Sequence, residues 1–330
     1  MEATAEIKTK ARTKPDTRLI GELAPIVGLV LVVVIFTLLT KGALLSSGNL
    51  QSLSSQVITT ALVTIGAVFV FGSGYFDMSL GGCLCFTAVI GGQVAIATGS
   101  LLLSFISILG ISLAFGIAKG IFATTVNVPF FIFTIVLGSV ISSVVLVMLG
   151  SESTIYLKDA VKEIPSLTFT QMTAVNVIAL VVFFAVCLVL FNYTPLGVCI
   201  KNLGGSFIAA RQSGINTRKT TIIAFIVSAL GVAVAAFIIL LRTRTVGATT
   251  ASGVGNDVMV ALVLGGMPLS GGPKSKISAG LIGAVTITVL NSGLTIMGLT
   301  TGQIQVVRGI VFIAVVFVSS FSYRGKLLPR

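Results

Sequence analysis

Seven stretches of this chain, at 56–72, 79–98, 101–118, 129–149, 173–192, 221–241 and 277–296, run without one charged residue. Each approaches the ~20 apolar residues that a helix needs to cross a bilayer. The runs are continuous rather than alternating, which disfavours a closed β-barrel. Two more runs, Pro25–Leu39 and 303–321, extend the series, and a weaker one at 254–267 is broken by glycine and one Asp. Charged residues make up only 9% of the 330 and hydrophobic ones 55%, with mean hydropathy +1.12. A soluble domain carries about 25% charged residues, so a soluble enzyme or nucleic-acid binder is excluded. The expected fold is all-α, a polytopic membrane protein of about ten transmembrane segments, at least one of them broken or short, surrounded by lipid.

The net charge of +12 implies no nucleic-acid partner, because the basic residues lie mainly in tails and loops. Positive loops stay in the cytoplasm, and that rule sets the orientation. Residues 1–23 read as a cytoplasmic tail, with seven charged side chains in the first sixteen positions. The first apolar run has no clear small-residue cleavage site after it, so it reads as a retained anchor rather than a signal peptide. The transmembrane body spans 24–322, and 323–330 is a second cytoplasmic tail. With the N-terminus inside, Lys119 falls in a cytoplasmic loop, as does 193–220 with Lys201, Arg211, Arg218 and Lys219. Lys274 and Lys276 are also inside if 254–267 crosses or dips, which gives ten segments and cytoplasmic termini. Arg242 and Arg244 break the rule at the outer end of the seventh run.

Chemistry has few places to reside. There is no His, and Cys83, Cys85, Cys187 and Cys199 lie in or beside apolar runs without metal-ligand spacing. They read as small core residues; no metal, cofactor or catalytic set is expected. Gly266–Gly271 has the glycine spacing of a phosphate loop, but Gly272 stands where Lys is required. Asp77 and Asp257 are the only acids outside the N-terminal tail and the 150–163 loop. Each lies in a Gly-rich break, at 72–82 and 253–272, which faintly suggests an internal duplication. An ionisable group at membrane depth costs at least ~2.5 kcal/mol, so it faces protein or a wet cavity. Either the two acids line a pathway, or each caps a helix start; the readings are compatible.

The loop 199–219 reads CIKNLGGSFIAARQSGINTRK. Gly204-Gly205 can end one element, Ser206 can start a short helix through Ala209, Ala210 and Arg211, and Gly214 can stop it. Such a helix could seat in a groove of a soluble partner, or the segment could be an ordinary interhelix loop.

At these residues the chain resembles the membrane permease subunit of bacterial ABC importers for monosaccharides, the ribose-type family. The likeness runs from about Leu44 to the last apolar run. The family block GGIDLSVG appears as Gly74–Gly81, IPPFIVTL as Val128–Ile135, and GGNEEAARLSGI as Gly204–Ile215. ELDAIAAVVLGGTSLAGG appears as Gly255–Gly272, and QQVVKGL as Ile304–Ile310.

The resemblance implies two permease subunits forming a homodimer or heterodimer, a cytoplasmic ABC ATPase and an extracytoplasmic sugar-binding protein. It implies import of a monosaccharide or related small polar solute across the bacterial cytoplasmic (inner) membrane. Hydrolysis of ATP would belong to the partner, so the chain itself is not an enzyme. Gly204, Gly205, Ala209, Ala210, Arg211, Ser213 and Gly214 would couple to the ATPase. Tyr75, Phe76, Asp77, Ser79, Phe131, Asp257 and Gln305 would lie on the pathway or at the helix breaks. The chain departs from the family at Ser206-Phe207-Ile208 (family Asn-Glu-Glu), Gly255 (Glu), Met267-Pro268 (Thr-Ser) and Tyr75 (Gly). These departures suggest a divergent permease paired with a more typical one. Two rival classes remain: an ion-coupled secondary carrier acting without an ATPase, and a regulatory subunit that transports nothing.

Overall fold

The computed structural model describes residues 17–126, 128–150, 154–157 and 168–324. The acids of the 150–163 loop, the first sixteen residues, Lys326 and Arg330 lie outside the described residues. The described residues are helical almost throughout. Its helices are α1 (Thr17–Leu39), α2 (Ser47–Gly72), α3 (Leu80–Thr98), α4 (Leu101–Thr125), α5 (Phe130–Leu149) and α6 (Phe169–Asn192). They continue as α7 (Pro195–Gly205), α8 (Phe207–Gln212), α9 (Thr217–Thr243), α10 (Val254–Leu264), α11 (Ile277–Ile296) and α12 (Thr301–Arg324). β1 (Thr154–Tyr156) pairs antiparallel with β2 (Thr245–Gly247), Thr154 opposite Gly247.

Among the described residues seven helices, α2 to α6, α9 and α11, are long and apolar enough to cross a membrane. The apolar part of α1, α10, and the apolar part of α12 are shorter. At 1.5 Å per residue α10 is roughly 16 Å long, about half a ~30 Å hydrocarbon core, so it is the short element that its glycines foretold.

Two sequence assignments change. Lys119 is not in a loop: α4 continues past the expected end at 118 and buries it. Within the expected loop 193–220 the short helix that Ser206 could start is present as α8, its hydroxyl accepting from Ala209 N at 3.3 Å, but Pro195 also opens a helix before it, α7, that the loop reading lacks. Gly214, at φ +80°, follows α8 in a conformation that glycine adopts without steric cost.

The centre is built from α2, α9 and α11, which are mostly buried, whereas α4, α5 and α6 show most of their surface. Small residues let backbones approach where helices cannot be driven together by hydrophobicity alone. On α4, Gly116 and Gly120 rest against Phe225 and Ile222 of α9; on α11, Gly280 and Gly283 rest against Ile65 of α2 and Ala261 of α10. The packing repeats in two halves. α4 lies on α9 as α11 lies on α2, α3 packs on α4 as α10 packs on α11, and α2 meets α9 between them.

The bundle has two distinguishable ends. At one, Gly272 N donates to Gly72 O at 2.9 Å, and Pro273 lies beside Gly205, so α7, the end of α2 and the 265–276 turn are together. At the other, β1 and β2 join, and Ser292 Oγ of α11 donates to Asn49 Oδ1 of α2 at 3.0 Å. Segment 244–276 therefore leads from the β end to the α7 end, although its helix is short.

Candidate translocation site and coupling element

The two Gly-rich breaks meet. A Cβ on Gly81 would lie 3.1 Å from Ala251 O and from Gly255 N, and a Cβ on Gly255 would overlap Met78 O. The first turns of α3 and α10 thus abut backbone to backbone, each preceded by irregular chain, at 73–79 and 248–253. Discontinuous helices whose starts converge inside a membrane protein are where transporters place solute and coupling groups. The contact also explains one departure from the family pattern: at position 255 there is no room for any side chain, so a Glu is excluded.

Asp77 fixes the first break with both carboxylate oxygens. Ser79 N and Ser79 Oγ donate to Oδ1 at 2.9 and 2.6 Å, an Asx-type turn leading into α3. Lys119 Nζ donates to Oδ2 at 2.6 Å, and both side chains are almost fully enclosed. Lys119 also reaches Ser79 Oγ at 3.3 Å and Cys83 Sγ at 3.8 Å. From α5, Thr134 Oγ1 accepts from Met78 N at 3.2 Å and donates to Phe76 O at 3.4 Å. A negative group before a helix start is favoured by the helix dipole, and Lys119 supplies the counter-charge that burial requires.

Asp257 does something different. It lies in the first turn of α10, after Gly253 (φ +83°), and does not cap the helix. Its Oδ1 is 2.6 Å from Arg308 Nη1 of α12, and Asn291 of α11 bridges the pair, donating to Oδ2 at 3.3 Å and accepting from Arg308 Nε at 2.7 Å. This cluster keeps 13–17% side-chain exposure, where the Asp77 pair is closed.

Tyr75 and Phe76 point to opposite sides of the break. Tyr75 stands edge-on to Phe130 (centroids 5.5 Å) and beside Phe225, and its hydroxyl reaches Ala123 O at 3.5 Å. Phe76 packs on Phe71 at 4.6 Å and touches Phe131 at 6.3 Å. Between them a cavity of about 10 Å³, lined by Phe71, Tyr75, Phe76, Asp77, Met259 and Leu262 among others, has room for one water. Gln305 is not with this group: it is exposed on α12.

The coupling candidates separate as well. On α8, Phe207, Ile208, Ala209 and Arg211 are exposed, as is Ser213 just beyond, whereas Ala210 is buried. Gly204 turns inward and packs on Gly72 and Gly272. Sequence reasoning misses Lys119, Thr134, Asn291 and Arg308 as site residues. Charge balance is a signal for two of them, because the apolar segments carry two acids, 77 and 257, and two deeply placed bases, 119 and 308; Thr134 and Asn291 have no such signal.

With this geometry in hand, comparison with known proteins gives one answer. The family model for the branched-chain amino acid transport system / permease component matches residues 49–316. This chain belongs to that family. The ribose import permease protein of Escherichia coli (strain K12) is 28% identical over 302 residues, covering 88% of this chain and 91% of that one. Its counterpart from Bacillus subtilis (strain 168) is 27% identical over 314 residues, 95% and 97% of the two chains. The galactofuranose transporter permease protein of Escherichia coli (strain K12) is 26% identical over 289 residues, 83% and 80%. No solved structure gives a significant match. The chain is thus a membrane transport permease component with several apolar helices, similar to the permease subunits of ABC sugar importers.

Proposed function

We propose that this permease passes a monosaccharide or related small polar solute into the cytoplasm, driven by ATP hydrolysed on a separate chain. The observation that carries the reading is the abutment of two broken segments at Gly81 and Gly255, entered from opposite ends of the bundle. The sugar class follows from the relatives, which are permeases for ribose and for galactofuranose. In this reading the chain makes ten crossings, counting 244–276 as one. Both termini and α8 face the cytoplasm of the bacterial inner membrane, with the 24–322 body as the permease domain between two tails. The exposed face of α8 docks on the ATPase, a sugar-binding protein delivers solute from outside, and a second permease subunit completes the pathway. Few polar groups face the cavity beside Asp77, so solute affinity resides in the binding protein.

The alternative of an ion-coupled carrier is weakened by the pairing of both intramembrane acids with basic partners. Neither is poised as a bare proton acceptor. Uptake of labelled monosaccharide into proteoliposomes holding the co-purified complex tests the reading. Uptake is expected to need ATP and to survive an ionophore that collapses the proton gradient. Gradient-driven uptake without ATP would overturn it.

A further inference from the structure

Three chain segments meet at the α7 end with glycines at their closest approaches. A Cβ on Gly204 would overlap Gly72 O and lie 2.6 Å from Gly272 N. A Cβ on Gly271 would collide with Phe71 O and lie 2.9 Å from Gly72 O and 3.0 Å from Gly74 N. Gly272, at φ +89°, leaves 3.0 Å to Gly205 N, and Gly74, also at φ +89°, faces Gly204 Cα. The Gly272 N to Gly72 O hydrogen bond at 2.9 Å clamps the set.

The three segments have distinct destinations. Gly72–Gly74 leads directly into the Tyr75–Asp77 break. Gly271–Gly272 closes the turn that follows α10, the helix carrying Asp257. Gly204–Gly205 is the end of α7, one residue before the cap of α8. We propose that this glycine junction is the transmission contact of the transporter, so that displacement of α8 moves both breaks as one body. Backbone touching backbone transmits displacement because no side chain can change rotamer to absorb it; close-packed contacts pass strain on. The proposal rests on the importer reading and adds which residues carry the stroke.

Position 110 on α4, outside the junction, supplies the internal comparison. A Cβ there meets nothing within 4 Å. The test uses the full chain with its ATPase and binding protein in proteoliposomes, and reads solute taken up per ATP hydrolysed. Gly204→Ala is expected to lower that ratio about tenfold while hydrolysis and ATPase co-purification persist, and Gly110→Ala to leave it near wild type. Pro273→Gly introduces no clash but loosens the turn that holds Gly272, and is expected to lower the ratio severalfold. If Gly204→Ala does not yield folded protein, Pro273→Gly decides. A wild-type ratio in Pro273→Gly, or equal ratios in Gly204→Ala and Gly110→Ala, overturns the transmission role and leaves the importer intact. Failure of the importer reading shows separately, as ATP-independent uptake by the unaltered chain.

Discussion

Removing the amine of Lys119 would strand Asp77 in an enclosed site with its negative charge uncompensated. Breaking a buried pair from one side costs about 3–5 kcal/mol, whereas removing both charges avoids the stranded ion. Lys119→Met is therefore expected to lower the thermal midpoint in detergent sharply. Adding Asp77→Asn should restore most of it, because Asn keeps the acceptor that Ser79 N and Oγ use. Equal losses in the single and double variants would refute the pairing argument. Arg308→Gln should cost less, since its cluster is partly exposed and Asn291 remains to bond Asp257. Asp77 was legible from sequence as a residue demanding explanation, but its partner was not. Loops and helix ends both attract lysine, and only the continued helicity of 119–125 shows that this one lies inside.

At the scale of elements, the long helices were legible because a membrane forces each apolar run into one hydrogen-bonded helix. The α7 helix was obscured because its eleven residues include three glycines, and its buried positions Gly197, Ile200 and Leu203 make only a short stripe. The placement of α8 also corrects which substitutions probe docking. Ala210 is 2% exposed whereas Ile208 is 69% exposed. Ile208→Glu puts a charge on the free face and is expected to abolish ATPase co-purification while leaving the thermal midpoint within a degree or two. Ala210→Glu buries a charge against the body and is expected to lower the midpoint itself. An ATPase that co-purifies normally with Ile208→Glu would remove α8 from the docking surface. Under the proposed docking, the apolar Phe207 and Ile208, standing where the family pattern has two acids, predict a partner groove that is apolar at this point.

Across the whole molecule, the faint duplication of two glycine breaks becomes a repeated packing scheme, with the halves running in opposite senses. Sequence could not show this because the halves share almost no residues; what repeats is which helix lies on which. The scheme fixes the ends relative to one another. Gly72, α7, α8 and the 265–276 turn share one end, and the β strands and the start of α12 lie at the other. A single labelling experiment then fixes the whole orientation. Met297, at the end of α11, and Ile208 are both exposed and at opposite ends. Cys83, Cys85 and Cys187 are buried, so a Cys199→Ser background leaves little competing thiol. In right-side-out vesicles a membrane-impermeant maleimide is expected to label Met297→Cys and spare Ile208→Cys until the membrane is opened. The reverse pattern would invert the permease and put α8 where no ATP-driven motor could reach it. Labelling of both in sealed vesicles would mean that 244–276 does not cross, despite ending beside α7.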